Sequence, residues 1–373
     1  MELKIAAPEL ARALARSLGI VEKKSTMPSL SHVLLEATKD GGLKVSATDL
    51  DVTVIGEHRC EVLKDGALAV SARHLHDIVR SLPGDQVTLK RASNNYLELK
   101  SGASEFKLVG LPAEDFPALP RFEKVKFAPV KTDLVLEMIE RTQFAASSDE
   151  TRYNLNGVFF ESGQGAVRMV ATDGHRLSLA ERKLDVDFGL KKGVILPRKG
   201  LTELRKLLAE GAEGDGQPVD GELGFVENNA VYRRPGVTLM MRLIEGVFPD
   251  YRQVIPAQQE KIFNLKRLDL LATLKRVSIL SSDKAHAVKL ELSPGSLKVL
   301  SQNPDLGEAR EDVAVGYEGD PLKIGFNARY LTDVLEALDV ENVQVELADD
   351  LSPGVLRPVA EEGYTAVIMP MRI

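Results

Sequence analysis

An acid, a histidine and a cation stand together in the segment Thr172-Asp-Gly-His-Arg176. These residue types could perform proton transfer, with His175 as a general base that Asp173 orients. No nucleophile–base pair or metal-ligand set is evident beside them. Because Asp-Gly is a favoured turn dipeptide, the alternative is a tight turn at Asp173-Gly174 that displays His175 and Arg176. The residues alone leave both interpretations open.

Motifs that carry well-understood chemistry are absent from the rest of the sequence. There is no GxxxxGK[ST] phosphate-binding loop, no GxGxxG after a strand, and no HExxH or GxSxG. His74 and His76 lie two residues apart, so on a helix they would not share a face and would make poor joint ligands. Cys60 is the only cysteine, which excludes an intrachain disulfide and any CxxC motif. The sequence therefore predicts no cofactor and no metal.

Length and composition limit the class of protein. A chain of 373 residues exceeds what one hydrophobic core usually serves, which favours two or three domains. With 44% hydrophobic and 28% charged residues, the composition is typical of a folded globular protein. No apolar run approaches a membrane span and the N-terminus lacks the pattern of a signal peptide, so we expect a cytoplasmic location. The net charge of −7 argues against a wholly basic nucleic-acid binder but allows one basic face.

One helical pattern occurs three times, at intervals of about 130 residues, over residues 71–82, 197–208 and 327–338. Matched leucines at 75, 201 and 331 are followed by apolar residues three and seven positions later, which predicts one buried helix face. A cation stands two residues before each leucine and an acid two residues after it: Arg73 and Asp77, Lys199 and Glu203, Arg329 and Asp333. A unit that repeats three times favours a ring or an array over a single catalytic pocket.

A second amphipathic helix precedes each copy, with an acid near its start and the matched leucines Leu10, Leu134 and Leu270. Alternating strands follow it, and the first two copies run into the same triplet, Ala-Thr-Asp, at residues 47–49 and 171–173. A hairpin signal lies at residues 100–104, and the stretch 209–221 reads as a solvated loop. The alternative is one α/β protein with similar amphipathic helices.

Cations recur on these helices although the chain is acidic overall. One such face is most often merely solvated, but its recurrence indicates a positive surface built from repeated elements. Tyr153 could add an aromatic contact, and phosphate binding there would be modest and independent of sequence. The cations on or beside the second helices are Arg73, Arg80, Arg198, Lys199, Arg205, Lys206 and Arg329; those on or after the first helices are Lys24, Arg141, Arg152, Lys275 and Arg276.

Five segments carry a resemblance to a known family: residues 170–177, 195–200, 248–252, 324–327 and 367–373. Over essentially its full length, the chain resembles the bacterial sliding clamp, the β subunit of the DNA polymerase III holoenzyme. The resemblance implies an α+β fold of three clamp domains, residues 1–122, 123–254 and 255–373, each with two helices packed on antiparallel sheets. Two chains would join head to tail in a ring that encircles duplex DNA, with helices towards the hole.

The same resemblance implies a non-enzymatic tether for the replicative polymerase, the clamp loader and other replication and repair proteins, associated with the nucleoid when loaded. A cleft between the second and third domains would bind a short partner peptide. Ala285 and Pro353 replace an aromatic residue and a serine that the best-known members have at its rim. The implied cleft residues are Leu155, Thr172, Gly174, His175, Arg176, Leu177, Pro249, Val254, Asn327, Tyr330, Leu351, Val367, Met369, Pro370, Met371 and Arg372.

Two further sets of residues follow from the resemblance. We expect the dimer to join an alternating, apolar strand edge of one chain to a short apolar segment of the other, because an unpaired strand edge favours association. Phe106 and Leu108 would lie on one side of that interface, and Ile279 and Leu280 on the other. The residues expected to touch DNA phosphates are Lys24, Arg73, Arg80, Tyr153, Arg198, Lys199 and Arg205.

Overall fold

The computed structural model describes residues 1–22, 26–210, 220–281 and 286–372. Lys24, Ala285, Ile373 and most of the expected loop at 209–221 lie outside these residues. The described residues form six α-helices: α1 Ala7–Leu18, α2 Ala72–Ser81, α3 Thr132–Glu140, α4 Arg198–Ala209, α5 Arg267–Val277 and α6 Ala328–Ala337. None of them is long and apolar enough to cross a membrane.

The repeated helices form where the sequence pattern predicts them. Helices α2, α4 and α6 match the three copies within a residue or so at each end, and Leu75, Leu201 and Leu331 are buried as predicted. Helices α1, α3 and α5 each carry the expected acid in the first turn, where the helix dipole favours a negative charge. The periodic helix prediction is confirmed in all three copies.

Twenty-five strands accompany the helices in the described residues. In chain order they are β1 Glu2–Ala6, β2 His32–Thr38, β3 Gly42–Thr48, β4 Val52–His58, β5 Glu61–Lys64, β6 Gly66–Ser71, β7 Gln86–Arg91, β8 Tyr96–Ser101, β9 Ser104–Leu111, β10 Lys126–Val130, β11 Gly157–Gly163, β12 Ala166–Thr172, β13 Arg176–Lys183, β14 Val194–Pro197, β15 Gly221–Val226, β16 Asn229–Arg234, β17 Val237–Arg242, β18 Lys261–Lys266, β19 Ala287–Ser293, β20 Ser296–Asn303, β21 Gly307–Ala314, β22 Leu322–Asn327, β23 Asn342–Leu347, β24 Gly354–Pro358 and β25 Tyr364–Ile368. The hairpin expected at residues 100–104 is the β8–β9 turn, closed by the pair Ser101 and Ser104.

The chain divides into two compact units. Unit 1 comprises Met1–Asp133, Asp187–Leu190 and Lys199–Leu243, and its sheet has the order β10-β15-β16-β17-β4-β3-β2-β6-β9-β8-β7-β1-β5. Unit 2 comprises Leu134–Val186, Lys191–Arg198 and Ile244–Ile373, and its sheets have the orders β14-β11-β12-β13-β25-β24-β23-β18 and β21-β20-β19-β22. Among the strands given above, every pair is antiparallel.

Two strand pairs explain why these units do not follow the three repeats. In unit 1, β4 of the first repeat pairs with β17 of the second, from Val52 opposite Met241 to Gly56 opposite Val237. In unit 2, β13 of the second repeat pairs with β25 of the third, beginning at Arg176 opposite Ile368. Each sheet therefore continues across a boundary between repeats, and residues of the central repeat belong to both units. The boundaries after residues 122 and 254 stay a prediction.

An apolar cluster in unit 2 supports the candidate site. Its buried members are Leu155, Val170, Leu177, Ile195, Phe248, Tyr251, Val355 and Val367. Phe159 stacks on Phe248 with ring centroids 5.0 Å apart. The cluster contains residues from β12, β13, β24 and β25, so the wall of the site is anchored in a continuous sheet rather than in a loop.

Candidate functional site

A mainly apolar pocket of about 140 Å³ lies on unit 2. Leu155, Leu177 and Val367 form its buried floor, while Val254 and Met369 are 41% and 37% exposed at its edge. Nine of the ten lining residues belong to the implied peptide cleft, and Tyr251 is additional. The lining residues are Leu155, Thr172, Gly174, Arg176, Leu177, Pro249, Tyr251, Val254, Val367 and Met369.

The turn between β12 and β13 shapes one side of the pocket. Thr172 ends β12, and its hydroxyl donates to the carbonyl of Arg176 at 2.6 Å while accepting the N–H of Gly174 at 3.1 Å. Gly174 has a φ of +89°, a conformation that glycine adopts without steric cost. Leu177 then pairs with Val367 across β13 and β25. The tight turn expected at Asp173-Gly174 is therefore present.

Asp173 does not orient His175 as a catalytic base. One carboxylate oxygen accepts the backbone N–H groups of His175 at 2.9 Å and Arg176 at 3.1 Å, and the other accepts Nε of Arg176 at 3.1 Å. Within the described residues, no group of three or more His, Cys, Asp or Glu side chains could hold a metal ion. Both oxygens of the Asp173 carboxylate are therefore bound to the backbone of the turn and to the Arg176 side chain. This geometry does not support the alternative in which Asp173 orients His175 as a general base.

Arg176 connects the turn to the third repeat. Besides Asp173, its guanidinium donates to the Asp333 carboxylate on α6 at 2.5 Å and to the carbonyl of Phe144 at 2.7 Å. The same group lies 4.5 Å from the ring centroid of Tyr330. With a side chain only 10% exposed, Arg176 is a largely buried cation whose charge is compensated by two carboxylates. It holds the wall of the pocket in place.

Tyr251 forms another part of the wall, and sequence reasoning missed it. Its hydroxyl donates to the Glu161 carboxylate at 2.7 Å, and the same oxygen accepts from Arg252 at 2.6 Å. Burial, followed by this hydrogen bond to Glu161, raises the pKa of Tyr251 strongly. Tyr251 lies in the segment 248–252, which carries the family resemblance. Its position in that segment was the sequence signal that could have assigned it to the pocket.

The remaining implied cleft residues lie around the pocket. His175, Asn327 and Tyr330 line an adjoining polar cavity of about 690 Å³, which also has Arg176 in its wall. The N–H of Met369 donates to the carbonyl of His175 at 2.9 Å, which ties the end of β25 to the turn. Leu351, Pro370, Met371 and Arg372 line neither cavity. Leu351 is 65% exposed, and Pro353 accepts a hydrogen bond from Gln259 at its carbonyl.

The residues expected to touch DNA are distributed over both units. Arg73, Arg80 and Arg205 are exposed on α2 and α4, and Tyr153 is 60% exposed. Arg198 begins α4 and lines the polar cavity. Lys199 is already engaged, because its ammonium group pairs with Asp49 and donates to the carbonyl of Ile20 at 3.0 Å.

The residues expected at the dimer interface are accessible. Phe106 is 37% exposed and Leu108 half-buried, both on β9. Ile279 is 72% exposed and Leu280 half-buried, both in the short 3₁₀ segment that follows α5. In the described chain, β21 pairs only with β20, and β9 pairs with β8 and, at Gly110 and Leu111 alone, with β6.

Comparison with known proteins identifies the class. Models of the N-terminal, central and C-terminal domains of the DNA polymerase III beta subunit match residues 1–120, 129–250 and 252–372. The chain thus consists of three clamp domains, as predicted, and the protein is a DNA clamp subunit.

The relatives define the family more narrowly. The beta sliding clamp of Caulobacter vibrioides is 37% identical over the full length of both chains. Solved sliding clamps of Bartonella birtlesii and Pseudomonas aeruginosa, both bound to griselimycin, are 35% and 34% identical, cover both chains completely and superpose with TM-scores of 0.93. The chain therefore belongs to the bacterial beta sliding clamp family. This family is a non-catalytic processivity factor, so the resemblance is confirmed and the alternative of an α/β enzyme using Asp173 and His175 is wrong.

Proposed function

We propose that two copies of this chain close head to tail around duplex DNA and that each copy binds one extended partner peptide in the unit 2 pocket. The peptide belongs to the replicative polymerase, the clamp loader or another replication or repair protein. The observation that carries this proposal is the apolar pocket with its polar neighbour, joined through Arg176. The protein acts in the cytoplasm and associates with the nucleoid when loaded.

The two cavities suit the two ends of one short peptide. The apolar pocket takes large apolar residues at the C-terminal end of the peptide motif, because its floor is Leu155, Leu177 and Val367. The polar cavity takes a glutamine side chain, since Asn327 and His175 offer hydrogen-bonding groups there. An unbranched, flexible residue such as Met369 adapts the edge to different partners. A site of this size fits micromolar affinity, about −8 kcal/mol, which suits partners that must exchange.

Met369 provides the sharpest test of the pocket, because it is partly exposed and its truncation should not disturb the core. Replacing Met369 by Ala should weaken binding of a Gln-containing peptide with apolar C-terminal residues by about 5- to 30-fold, or about 1–2 kcal/mol of lost apolar burial. Met27→Ala is the matched control, since Met27 is 45% exposed in unit 1. Calorimetry that gave the same affinity for both variants would refute the placement of the site.

Retention on DNA is proposed to be topological. Arg73, Arg80, Arg198, Arg205 and Tyr153 touch phosphates without reading bases, and Lys24 is assigned to the same set from the resemblance. Lys199 should contribute little to phosphate binding, because its ammonium group already pairs with Asp49 and donates to the carbonyl of Ile20. Direct phosphate contacts weaken steeply with salt, whereas a threaded ring cannot leave a closed circle. Loaded clamps should therefore stay on nicked circular DNA in salt that releases them from linear DNA, and equal loss from both would contradict encirclement.

The dimer interface is proposed to join β9 of one subunit to β21 of the other. Both strands have an unpaired edge in the described chain, and pairing satisfies their backbone groups. Phe106 and Leu108 would contact Ile279 and Leu280 of the partner subunit beside these strands. A dimer brings two peptide pockets into one ring, so two partners can be tethered to the same DNA, which raises their local concentration.

A further inference from the structure

One wall of the apolar pocket is the short segment 249–254. Pro249, Tyr251 and Val254 of this segment line the pocket. Its only regular element is the 3₁₀ turn Tyr251–Gln253, after which the N–H of Val254 donates to the carbonyl of Tyr251 at 3.2 Å. A single turn is too short to hold itself in place, because it makes few hydrogen bonds of its own. The position of this wall therefore depends on its contacts with neighbouring elements.

Strand β11 supplies these contacts, although none of its residues lines the pocket. Phe159 and Glu161 stand two residues apart on β11, so their side chains lie on the same face of the strand. The Phe159 ring centroid lies 5.0 Å from that of Phe248 and 6.3 Å from that of Tyr251. Glu161 accepts the hydroxyl of Tyr251 at 2.7 Å. One face of β11 thus holds the segment by an aromatic contact and by a hydrogen bond.

The Glu161 carboxylate is itself held by two cations. The oxygen that accepts from Tyr251 also accepts from Arg252 at 2.6 Å and from Arg168 at 3.4 Å. Arg168 stands opposite Glu161 on β12 and pairs with Glu181 on β13. The Glu161 side chain is 19% exposed. Charge-assisted hydrogen bonds to two guanidinium groups restrict the orientation of the carboxylate, so it presents a fixed acceptor to Tyr251.

Burial makes Tyr251 depend on this acceptor. Tyr251 is only 3% exposed, so its hydroxyl cannot reach water unless the ring moves. A buried donor that loses its partner costs more free energy than the hydrogen bond itself contributes. Without Glu161, the ring is therefore expected to shift until the hydroxyl is hydrated. Because the ring lines a pocket of only about 140 Å³, this shift would change which side chains fit.

We propose that Glu161 is a positioning residue of the peptide site: through the hydroxyl of Tyr251 it keeps this wall in the position that admits the large apolar residues of a partner peptide. Glu161 does not touch the peptide, since it lies behind Tyr251 on β11 and does not line the pocket. This inference rests on the proposed peptide site and identifies a residue outside the pocket that controls the shape of the pocket.

Two substitutions at position 161 test the need for an acceptor. Glu161→Ala should weaken binding of a Gln-containing peptide with apolar C-terminal residues by about tenfold in calorimetry, because the buried hydroxyl of Tyr251 loses its partner. Glu161→Gln should lose only about twofold, since its amide oxygen still accepts from the hydroxyl but carries no charge. The conservative variant therefore retains most of the affinity.

Tyr251→Phe distinguishes positioning through the hydroxyl from a general loss of stability. Alone, it should weaken peptide binding about threefold, because the ring remains but its hydrogen bond is lost. Combined with Glu161→Ala, it should recover affinity from about tenfold to about threefold below the unchanged protein, since no hydroxyl is left unsatisfied. If Glu161 had a purely structural role, the double variant would bind no better than Glu161→Ala.

Glu181→Ala is the matched control. Glu181 pairs with the same Arg168, but the hydroxyl of Tyr251 donates to Glu161. The Glu181 side chain is 38% exposed, so its ion pair contributes little and peptide affinity should stay within about twofold of the unchanged protein. Urea unfolding of each variant shows whether it is folded.

Failure of the inference is distinguishable from failure of the peptide site. If the unchanged protein does not bind the peptide, the proposed site fails and the inference fails with it. If it binds, the site stands, and the role of Glu161 is overturned by unchanged affinity in Glu161→Ala, by an equal loss in Glu181→Ala, or by no recovery in the double variant. Should Glu161→Ala not fold, Tyr251→Phe decides: a loss of about threefold supports the inference and unchanged affinity overturns it.

Discussion

Asp333 on α6 accepts a hydrogen bond from Arg176, which lines the pocket. Replacing Asp333 by Asn tests whether this contact keeps Arg176, and with it the pocket wall, in position. The substitution keeps the size of the side chain and removes the charge that accepts from Arg176 at 2.5 Å. The side chains of Arg176 and Asp333 are 10% and 24% exposed. The burial of this ion pair is therefore intermediate. A surface ion pair contributes up to about 1 kcal/mol, whereas breaking a buried one costs about 3–5 kcal/mol. Because Asp173 still compensates the cation, we expect a loss of about 1–2 kcal/mol in the free energy of unfolding.

The pocket should respond as well, because Arg176 lines it and loses one of its three anchors. Peptide affinity should fall by a few fold in Asp333→Asn, measured by calorimetry, in parallel with a lower urea midpoint. Glu336→Gln is the control on the same helix: its pair with Lys275 is about half exposed on both sides and should contribute less than about 0.5 kcal/mol. Equal effects of the two substitutions, or unchanged peptide affinity in Asp333→Asn, would refute the anchoring role of α6.

Other predictions address the interface, the C-terminus, catalysis and acid stability. Ile279→Ala with Leu280→Ala should give a folded monomer at micromolar concentration in ultracentrifugation, because truncating buried aliphatic side chains costs about 2–5 kcal/mol each; a dimer of unchanged mass would contradict the interface. Removing residues 369–373 should abolish peptide binding and polymerase processivity but leave a dimer, since α5 and β9 are untouched; full peptide affinity in calorimetry would argue against this. His175→Ala should weaken peptide binding without affecting sliding, and the purified clamp should hydrolyse neither nucleotide nor DNA; turnover that His175→Ala stops would restore the enzyme alternative. The hydrogen bond from Arg141 holds the pKa of Glu361 below its ordinary value of 4.5, so its stabilisation is present above that pH and is lost as the pH falls through the lower folded pKa. Urea unfolding of Glu361→Gln should therefore show a smaller loss of stability below pH 4.5 than the unchanged protein, and an identical loss would count against this ion pair.

Local features were predictable because their causes lie within a few residues. The periodicity around Leu75, Leu201 and Leu331 sets a helix face, and the Asp173-Gly174 dipeptide sets a turn whose φ at Gly174 is +89°. Family resemblance supplied most of the pocket lining, since its segments include Thr172, Leu177 and Val367. That step relied on recognition of the segments rather than on physical reasoning from the residues.

Long-range partners were not predictable from a single sequence. In the sequence, nothing distinguishes Lys199 from the other cations on helix faces. Its ion-pair partner, Asp49, is 150 residues away in the chain. Asp333 is 157 residues from Arg176, and Tyr251 is 90 residues from Glu161. No periodicity or dipeptide preference reports such pairs, because they depend on how the sheets bring the repeats together. The two compact units were not predictable for the same reason. They result from strand pairs that cross the repeat boundaries, and the composition of a strand does not indicate which strand it pairs with.

The turns that follow the two Ala-Thr-Asp triplets differ at the residue after the aspartate, which is Leu50 in the first repeat and Gly174 in the second. Leu50 holds the equivalent position in the first repeat, with a φ of +78° and its N–H donated to Thr48 at 3.0 Å, as Gly174 donates to Thr172. A leucine in this left-handed conformation carries a steric cost of about 1–2 kcal/mol and places a side chain, 52% exposed, over the turn. Glycine has no such side chain, and a Cβ added at Gly174 would lie 3.0 Å from Nη1 of Arg152, so the second turn has no room for one without a shift of Arg152. The two turns share this hydrogen bond and a positive φ but differ in their side chains: Leu50 projects from the first, whereas Gly174 lines the pocket at the second.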